Sequence, residues 1–380
     1  MLIAKFYGEK NIKSMRKVIH TGIALGLVCS VILTIIGIIF APMLLKVMNT
    51  DASVLPESVK YFTFYFAGVT GMVMYNIFAG ILNSLGNSKR TLLYLILSSV
   101  LNIGLDLLFI GAFKTGVEGA AIATSISQLL SAFLCFLFLL KKGTIYQVKI
   151  KEIKFDKRIL IQIIKFGVPA GVQNSVVSLA NVVVQSNINI FGNNAMAGNG
   201  AYVKIEGFAF LPINCFSLAL TTFVGQNLGA RQYDRAKKGS IFGIACSTII
   251  AEIIGICVAL FMPVLAKLFS ADPEVIDLAT KQAKVEGWFY FLLAFSYSIA
   301  AICRGAGKPF IPMIIMLAVW CGFRVAYIEI AMALSENIML IYIAYPLTWG
   351  ISAIIYFIYY TFSDWVHGFE KKQKLDYYKH

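Results

Sequence analysis

The stretch from Leu92 to Phe113, LLYLILSSVLNIGLDLLFIGAF, leaves this chain one environment in which to fold. A bilayer core is crossed by about 20 consecutive apolar residues in a helix. Comparable segments recur along the chain, at residues 18–45, 59–84, 91–113, 116–140, 160–191, 197–223, 239–266, 283–303, 309–333 and 338–362. Hydrocarbon offers backbone N–H and C=O groups no partner, so each span is expected to be helical. Hydrophobic residues make up 59% of the 380 and charged residues 14%, with a mean hydropathy of +0.78, which no water-soluble fold could hide. The expected fold is an all-α polytopic membrane protein of about ten transmembrane helices.

The formal charge of +14 could point to nucleic acid, but the basic residues gather in short loops between apolar segments, the pattern of membrane topology. Lys5, Lys10, Lys13, Arg16 and Lys17 precede the first span, Lys89 and Arg90 follow the second, and a basic stretch from Lys141 to Arg158 follows the fourth. Arg231, Arg235, Lys237, Lys238, Arg304, Lys308 and the lysines of the tail fall on the same side. That side is expected to be cytoplasmic, with both termini on it and the protein multi-pass in the plasma membrane. No partnership with nucleic acid is expected. The segment before the first span lacks an apolar core, so no cleavable signal peptide is expected. The seven cysteines lie in apolar segments without CxxC spacing and are read as reduced packing residues.

The chain repeats itself. A shift of 221 residues superposes Gly8 on Gly229, Lys17 on Lys238, Pro42 on Pro263, Asp51 on Asp272, Lys60 on Lys281 and Gly86 on Gly307. The expected organisation is a two-lobe helical bundle built from a parallel internal repeat, four helices and then six. Residues 1–140 form the N-terminal lobe, 141–159 a basic cytoplasmic linker, 160–362 the C-terminal lobe and 363–380 a cytoplasmic tail. On this alignment the first two helices of the second copy have no counterpart in the first. A complete first copy would need about sixty further residues, roughly two helices with their loops.

A carboxylate at membrane depth costs on the order of 3 kcal/mol, so Asp106 either binds or relays an ion or makes a packing hydrogen bond. Asn102, four residues earlier, shares its helical face. Thr124 stands seven residues inside the next span, as Asp106 stands seven residues inside its own, so each is about 10 Å from the same surface. Carboxylate, amide and hydroxyl oxygens suit a hard cation such as Na⁺, with Asp106 the candidate metal ligand, and the same carboxylate could instead take a proton. In segment 160–191, Asn174, Ser178, Asn181, Gln185 and Asn189 form a polar stripe that either lines a wet cavity or joins neighbouring helices. Lys204, Glu206, Glu252, Arg324 and Glu329 are further charges in apolar segments. Lys204 with Glu206 or Arg324 is expected to form a compensated group facing the cavity, and Glu206 is the second proton-site candidate. The aromatic runs YFTFYF from Tyr61 and WFYF from Trp288 are read as an interfacial belt.

No catalytic constellation is visible. His20, His367 and His380 lie at or beyond segment ends, no phosphate-cradling GxxxxGKS loop exists, and neither an enzyme nor a cofactor is expected. GQNLGA at 225–230, FGVPAG at 166–171, LNSLGNSK at 82–89 and CRGAGKP at 303–309 together resemble the multidrug and toxic compound extrusion (MATE) family, over nearly the whole chain. The resemblance implies two lobes that alternate access, exporting amphipathic or cationic compounds in exchange for Na⁺ or H⁺. In one branch of the family, the cation or proton site of the first lobe is similar to Asn102, Asp106 and Thr124. That branch adds an Asp from the first helix, which would fall before Met1. Two alternatives stand beside antiport: a lipid-linked oligosaccharide flippase of the same superfamily, which would want a more Arg-rich cavity, and an inactive transporter fragment. The expected partners are the bilayer and a small amphipathic substrate, with the protein acting as a monomer.

Overall fold

A computed structural model describes residues 1–47, 53–367 and 369. Asp51 of the repeat and the lysine-bearing end of the tail lie outside the described residues. Among the described residues every regular element is helical. A short α1 (Leu2–Gly8) leads into α2 (Ile12–Val47), followed by α3 (Leu55–Ala67) and α4 (Val69–Ser84). Next come α5 (Ser88–Asp106), continued by a π-helical segment over Leu107–Ala112, and α6 (Val117–Leu139). After the linker stand α7 (Lys157–Asn189), α8 (Asn193–Gly229), α9 (Tyr233–Leu265), α10 (Pro273–Glu286) and α11 (Tyr290–Gly305). The order closes with α12 (Phe310–Met316), a second π-helical segment over Leu317–Phe323, α13 (Arg324–Leu334) and α14 (Ile338–Phe362). Nine of the described helical runs are long and apolar enough to cross a membrane, or ten if the bent pair α3 and α4 makes one span.

Two spans differ from the sequence reading. Segment 59–84 is broken at Gly68, where α3 and α4 meet at 44°. The break follows a close approach to α6: a Cβ on Gly68 would overlap Ser125, and one on Gly71 would come within 2.7 Å of the Leu129 backbone nitrogen. Segment 283–303 begins instead at Pro273, because Asp272 caps the helix by accepting the Glu274 N–H at 2.8 Å and Pro273 supplies a prepaid φ. A tight turn over Gly287–Phe289 then joins α10 to α11. The helices run unbroken through Pro169, Pro212, Pro263 and Pro346.

The chain divides into two compact units, residues 2–163 and a second comprising Met1 with residues 164 onward. In the first, Met15, Ile19 and Ile23 of α2 pack with Phe78 and Leu82 of α4 and Cys135 of α6. In the second, α8, α9 and α11 form the densest contact. Gly255 of α9 lies so close to Gly287 that a Cβ on Gly287 would come within 2.7 Å of the Gly255 carbonyl. Phe291 Nα–H, freed by the turn, is accepted by Glu252 Oε2 of α9 at 3.0 Å. The seven cysteines are free, with Cys135 and Cys303 buried.

Candidate functional site

The second unit encloses a cavity of about 250 Å³. Asn181 and Gln185 reach it from α7, Asn199 and Glu206 from α8, and Arg324 from the first residue of α13. Phe210, Tyr297, Trp320, Tyr345 and Trp349 supply its aromatic walls. The amides form a chain: Asn199 Nδ2 donates to Gln185 Oε1 at 2.6 Å, and Gln185 Nε2 donates to Asn189 Oδ1 at 2.8 Å.

Arg324 is 2% exposed, a costly place for a guanidinium unless its donors are used. Its Nε and Nη2 both donate to Thr348 Oγ1, at 3.2 and 2.8 Å. The guanidinium carbon also lies 4.5 Å from the centre of the Tyr345 ring and 5.2 Å from that of Trp320. Such cation–π geometry is worth about 2 kcal/mol when desolvated. Glu206 and Glu286 are within electrostatic reach of this charge.

Behind Glu206 lies a second polar group. Glu286 is fully buried; its Oε2 accepts the Tyr202 hydroxyl at 3.1 Å and its Oε1 accepts Gln282 Nε2 at 2.9 Å. Tyr202 and Tyr290 hydroxyls share a 2.9 Å hydrogen bond. Gln282, Glu286 and Tyr290 recur every four residues, a stripe visible in the sequence. A span starting at residue 283 has Glu286 in its first turn, whereas the apolar run extends over Pro273–Gly305 and has Glu286 near its middle. Tyr290 likewise leaves the aromatic belt expected of WFYF: it is buried, while Trp288, Phe289 and Phe291 are exposed.

The structure places the other sequence candidates as follows. Asn174 and Ser178 continue the Asn181 stripe but are exposed and do not line this cavity, Ser178 Oγ donating to the Asn174 carbonyl at 3.0 Å. Lys204 is exposed and sits 5.4 Å over the Phe269 ring, because it is two residues from Glu206 and so on another face of α8. Glu329 accepts Asn187 Nδ2 at 3.2 Å. His20 lies inside α2 and is buried, the ninth residue of the helix rather than at its edge.

In the first unit, Asn102 and Asp106 lie on α5 and Thr124 on α6, which packs against α5 and its π-helical segment. All three are half-buried, and no hydrogen bond joins them. Asn102 Nδ2 and Asp106 Oδ1 are buried atoms without a hydrogen-bond partner, as is Oε1 of Gln128, one turn beyond Thr124. Buried polar atoms are nearly always satisfied, so each orphan is a hydrogen-bonding demand that the helices themselves do not meet; Asp106 Oδ1 and Gln128 Oε1 accept, whereas Asn102 Nδ2 donates.

A bundle of apolar helices with charged and amide groups buried inside it is the make-up of a multi-pass membrane protein with a polar interior. The model of the MatE family matches residues 1–108 and 169–328, and the chain belongs to that family, the MATE transporters. It is 29% identical over 374 residues to the probable multidrug resistance protein YoeA of Bacillus subtilis (strain 168), covering 95% of this chain and 80% of that one. It is 26% identical over 279 residues to the FAD transporter of Shewanella oneidensis, covering 72% of this chain and 62% of that one. A solved structure described as the outward-facing conformation of a multidrug resistance MATE family transporter of the MOP superfamily shares the fold, with a TM-score of 0.88 at 22% identity, covering 94% of this chain and 80% of that one.

Proposed function

We infer that the protein is a secondary antiporter, exporting small amphipathic and often cationic compounds in exchange for Na⁺ or H⁺ by alternating access between its two lobes. It works as a monomer in the plasma membrane, with termini and linker cytoplasmic. The observation that carries the antiport reading is Asp106 Oδ1, buried in an apolar span without a hydrogen-bond partner, one helical turn from Asn102. A carboxylate kept there without a protein partner suits an exchangeable ion. The donor set is oxygen-rich and hard: the Asp106 carboxylate, the Asn102 amide carbonyl and the Thr124 hydroxyl would hold Na⁺, and Asp106 alone would hold H⁺. Glu206 is a second carboxylate for coupling, and Asn181, Gln185, Glu206 and Arg324 line a cavity in the second unit. Export of drugs is supported by the names of the relatives, among them YoeA.

Proteoliposomes carrying the full chain, loaded with a fluorescent organic cation and given an imposed Na⁺ or pH gradient, test this reading. Asp106→Asn is expected to remove gradient-driven efflux while leaving dye binding within about twofold. Unchanged driven efflux in Asp106→Asn would exclude Asp106 as the coupling group.

A further inference from the structure

We propose that a groove at the start of α2 is a binding site for the phosphate headgroup of an anionic phospholipid. The groove, about 710 Å³, opens between the first three turns of α2 and the chain that joins α6 to α7. Its walls are tied together. Arg16 Nε and Nη2 donate to the carbonyls of Ile145 and Thr144, both at 3.1 Å. His20 Nε2 accepts the Lys149 N–H at 3.0 Å, and its Nδ1 pairs with the Arg16 carbonyl at 2.7 Å. With Nε2 an acceptor, Nδ1 carries the proton and donates. Thr21 Oγ1 accepts the Asp156 N–H at 3.2 Å. The groove is thus formed before any ligand arrives.

Its charge is one-sided. Asp156 is paired with Lys17 at 2.9 Å, and Glu152 with Lys149 at 2.9 Å. Those hydrogen bonds hold both carboxyls below the usual carboxylate range, so both stay ionised and neutralise their lysines. Lys13 and Lys154 are left without an acidic partner at the groove, while Arg16 gives its donors to backbone carbonyls and lies within reach of Glu152. Among the described residues the Lys13 and Lys154 ammonium groups have no ion-pair or hydrogen-bond partner, and both residues are exposed. Uncompensated cations at a preformed groove select an anion.

The rest of the lining says which anion. Ile12 and Phe155 flank the cations and are 42% and 47% exposed, an apolar rim that a soluble phosphate would leave wet. The 36 residues of α2 measure about 54 Å at 1.5 Å per residue, whereas the hydrocarbon core is about 30 Å thick. The first turns of α2 therefore fall at headgroup level. A phosphate there meets the ammonium groups while the glycerol and upper acyl carbons cover Ile12 and Phe155. Only the choice of leaflet rests on the orientation given above. The binding itself is independent of antiport.

Delipidated full-length protein in detergent, titrated with phosphatidylglycerol or phosphatidylcholine and read by native mass spectrometry, tests the site. Phosphatidylglycerol is expected to bind at least tenfold more tightly than phosphatidylcholine. K13Q/K154Q is expected to weaken phosphatidylglycerol about 30-fold, the loss of two basic residues each worth about 1 kcal/mol beside an anionic lipid. K46Q/K60Q, which removes lysines at the opposite end of α2 and on α3, is expected to change it less than twofold, with both variants melting as wild type does. The proposal falls if the two lipids bind equally, if both double variants lose equally, or if millimolar inorganic phosphate displaces the bound phosphatidylglycerol.

Discussion

Thr348→Val is the sharpest probe of the second-unit cavity. The substitution keeps the side-chain shape and removes one oxygen, the acceptor of both hydrogen bonds from Arg324. At 2% exposure the guanidinium cannot turn to bulk water for compensation. A hydrogen bond to a charged group contributes about 1.5–3 kcal/mol, and because the two bonds share one acceptor they are lost as a single event. The stacking on Tyr345 and Trp320 remains, so the net loss is about 2–3 kcal/mol. For a cooperative body of 150–250 residues, each kcal/mol moves the midpoint by about 2–4 °C. Thr348→Val is therefore expected to melt about 4–12 °C below wild type in detergent. Intrinsic fluorescence reports it directly, since Trp320 and Trp349 line the same cavity. Arg324→Met removes the charge along with its need for an acceptor, and Thr348→Val made on that background is expected to cost under 1 kcal/mol. A Thr348→Val midpoint within 1 °C of wild type would refute the reasoning, as would equal losses in the two backgrounds.

Gly255→Ala is expected to lower the melting midpoint by several degrees, since its Cβ would overlap the Gly287 carbonyl and lie 3.0 Å from Tyr290 Cβ, whereas Gly80→Ala, with nothing within 4 Å, should be neutral or stabilising. Tyr202→Phe withdraws a donor from buried Glu286 and is expected to cost about 1–3 kcal/mol in the same melts. The tie between α2 and the linker should depend on pH through Asp156, whose carboxyl is held low by Lys17 and by the Ile159 N–H. A lowered folded value means its contribution is complete above the unfolded value near 4 and fades as pH falls through the folded one. The protection of the Lys149 and Asp156 amides against hydrogen exchange, taken relative to their intrinsic rates at each pH, should fall on acidification below about pH 4, and Asp156→Asn, which keeps the helix cap, should flatten that response.

Hydropathy carried the architecture because lipid forbids open backbone: each long apolar run had to be a helix, and only the ends were free to differ. Those ends decided what was missed. A span starting at residue 283 leaves Gln282 outside it and Glu286 in its first turn, where a charge is ordinary, so the face shared with Tyr290 does not stand out. The polar stripe on α7 was visible by its spacing, yet spacing is blind to height along the axis, so Asn174 and Ser178 looked equivalent to Asn181 and Gln185. Lys204 illustrates the opposite error: proximity in sequence to Glu206 suggested a pair, but two residues along a helix turn a side chain by about 200°. Asn199 and Thr348 gave no signal, because a lone amide or hydroxyl in a greasy run is ordinary until its neighbour is known.

The two π-helical segments are set differently in the two halves of the duplicated chain. One begins directly after Asp106 and the other ends directly before Arg324. Each widened turn accommodates one surplus residue, and that residue sets the angular phase of everything downstream by about 100°. Shortening Leu317–Phe323 by a single residue would restore an ordinary helix and rotate the Arg324 side chain about a quarter turn away from Thr348. The same excision after Asp106 would leave that carboxylate in place and swing Phe109 and its successors instead. The two segments thus keep separate clocks, one timed to a base and the other to an acid.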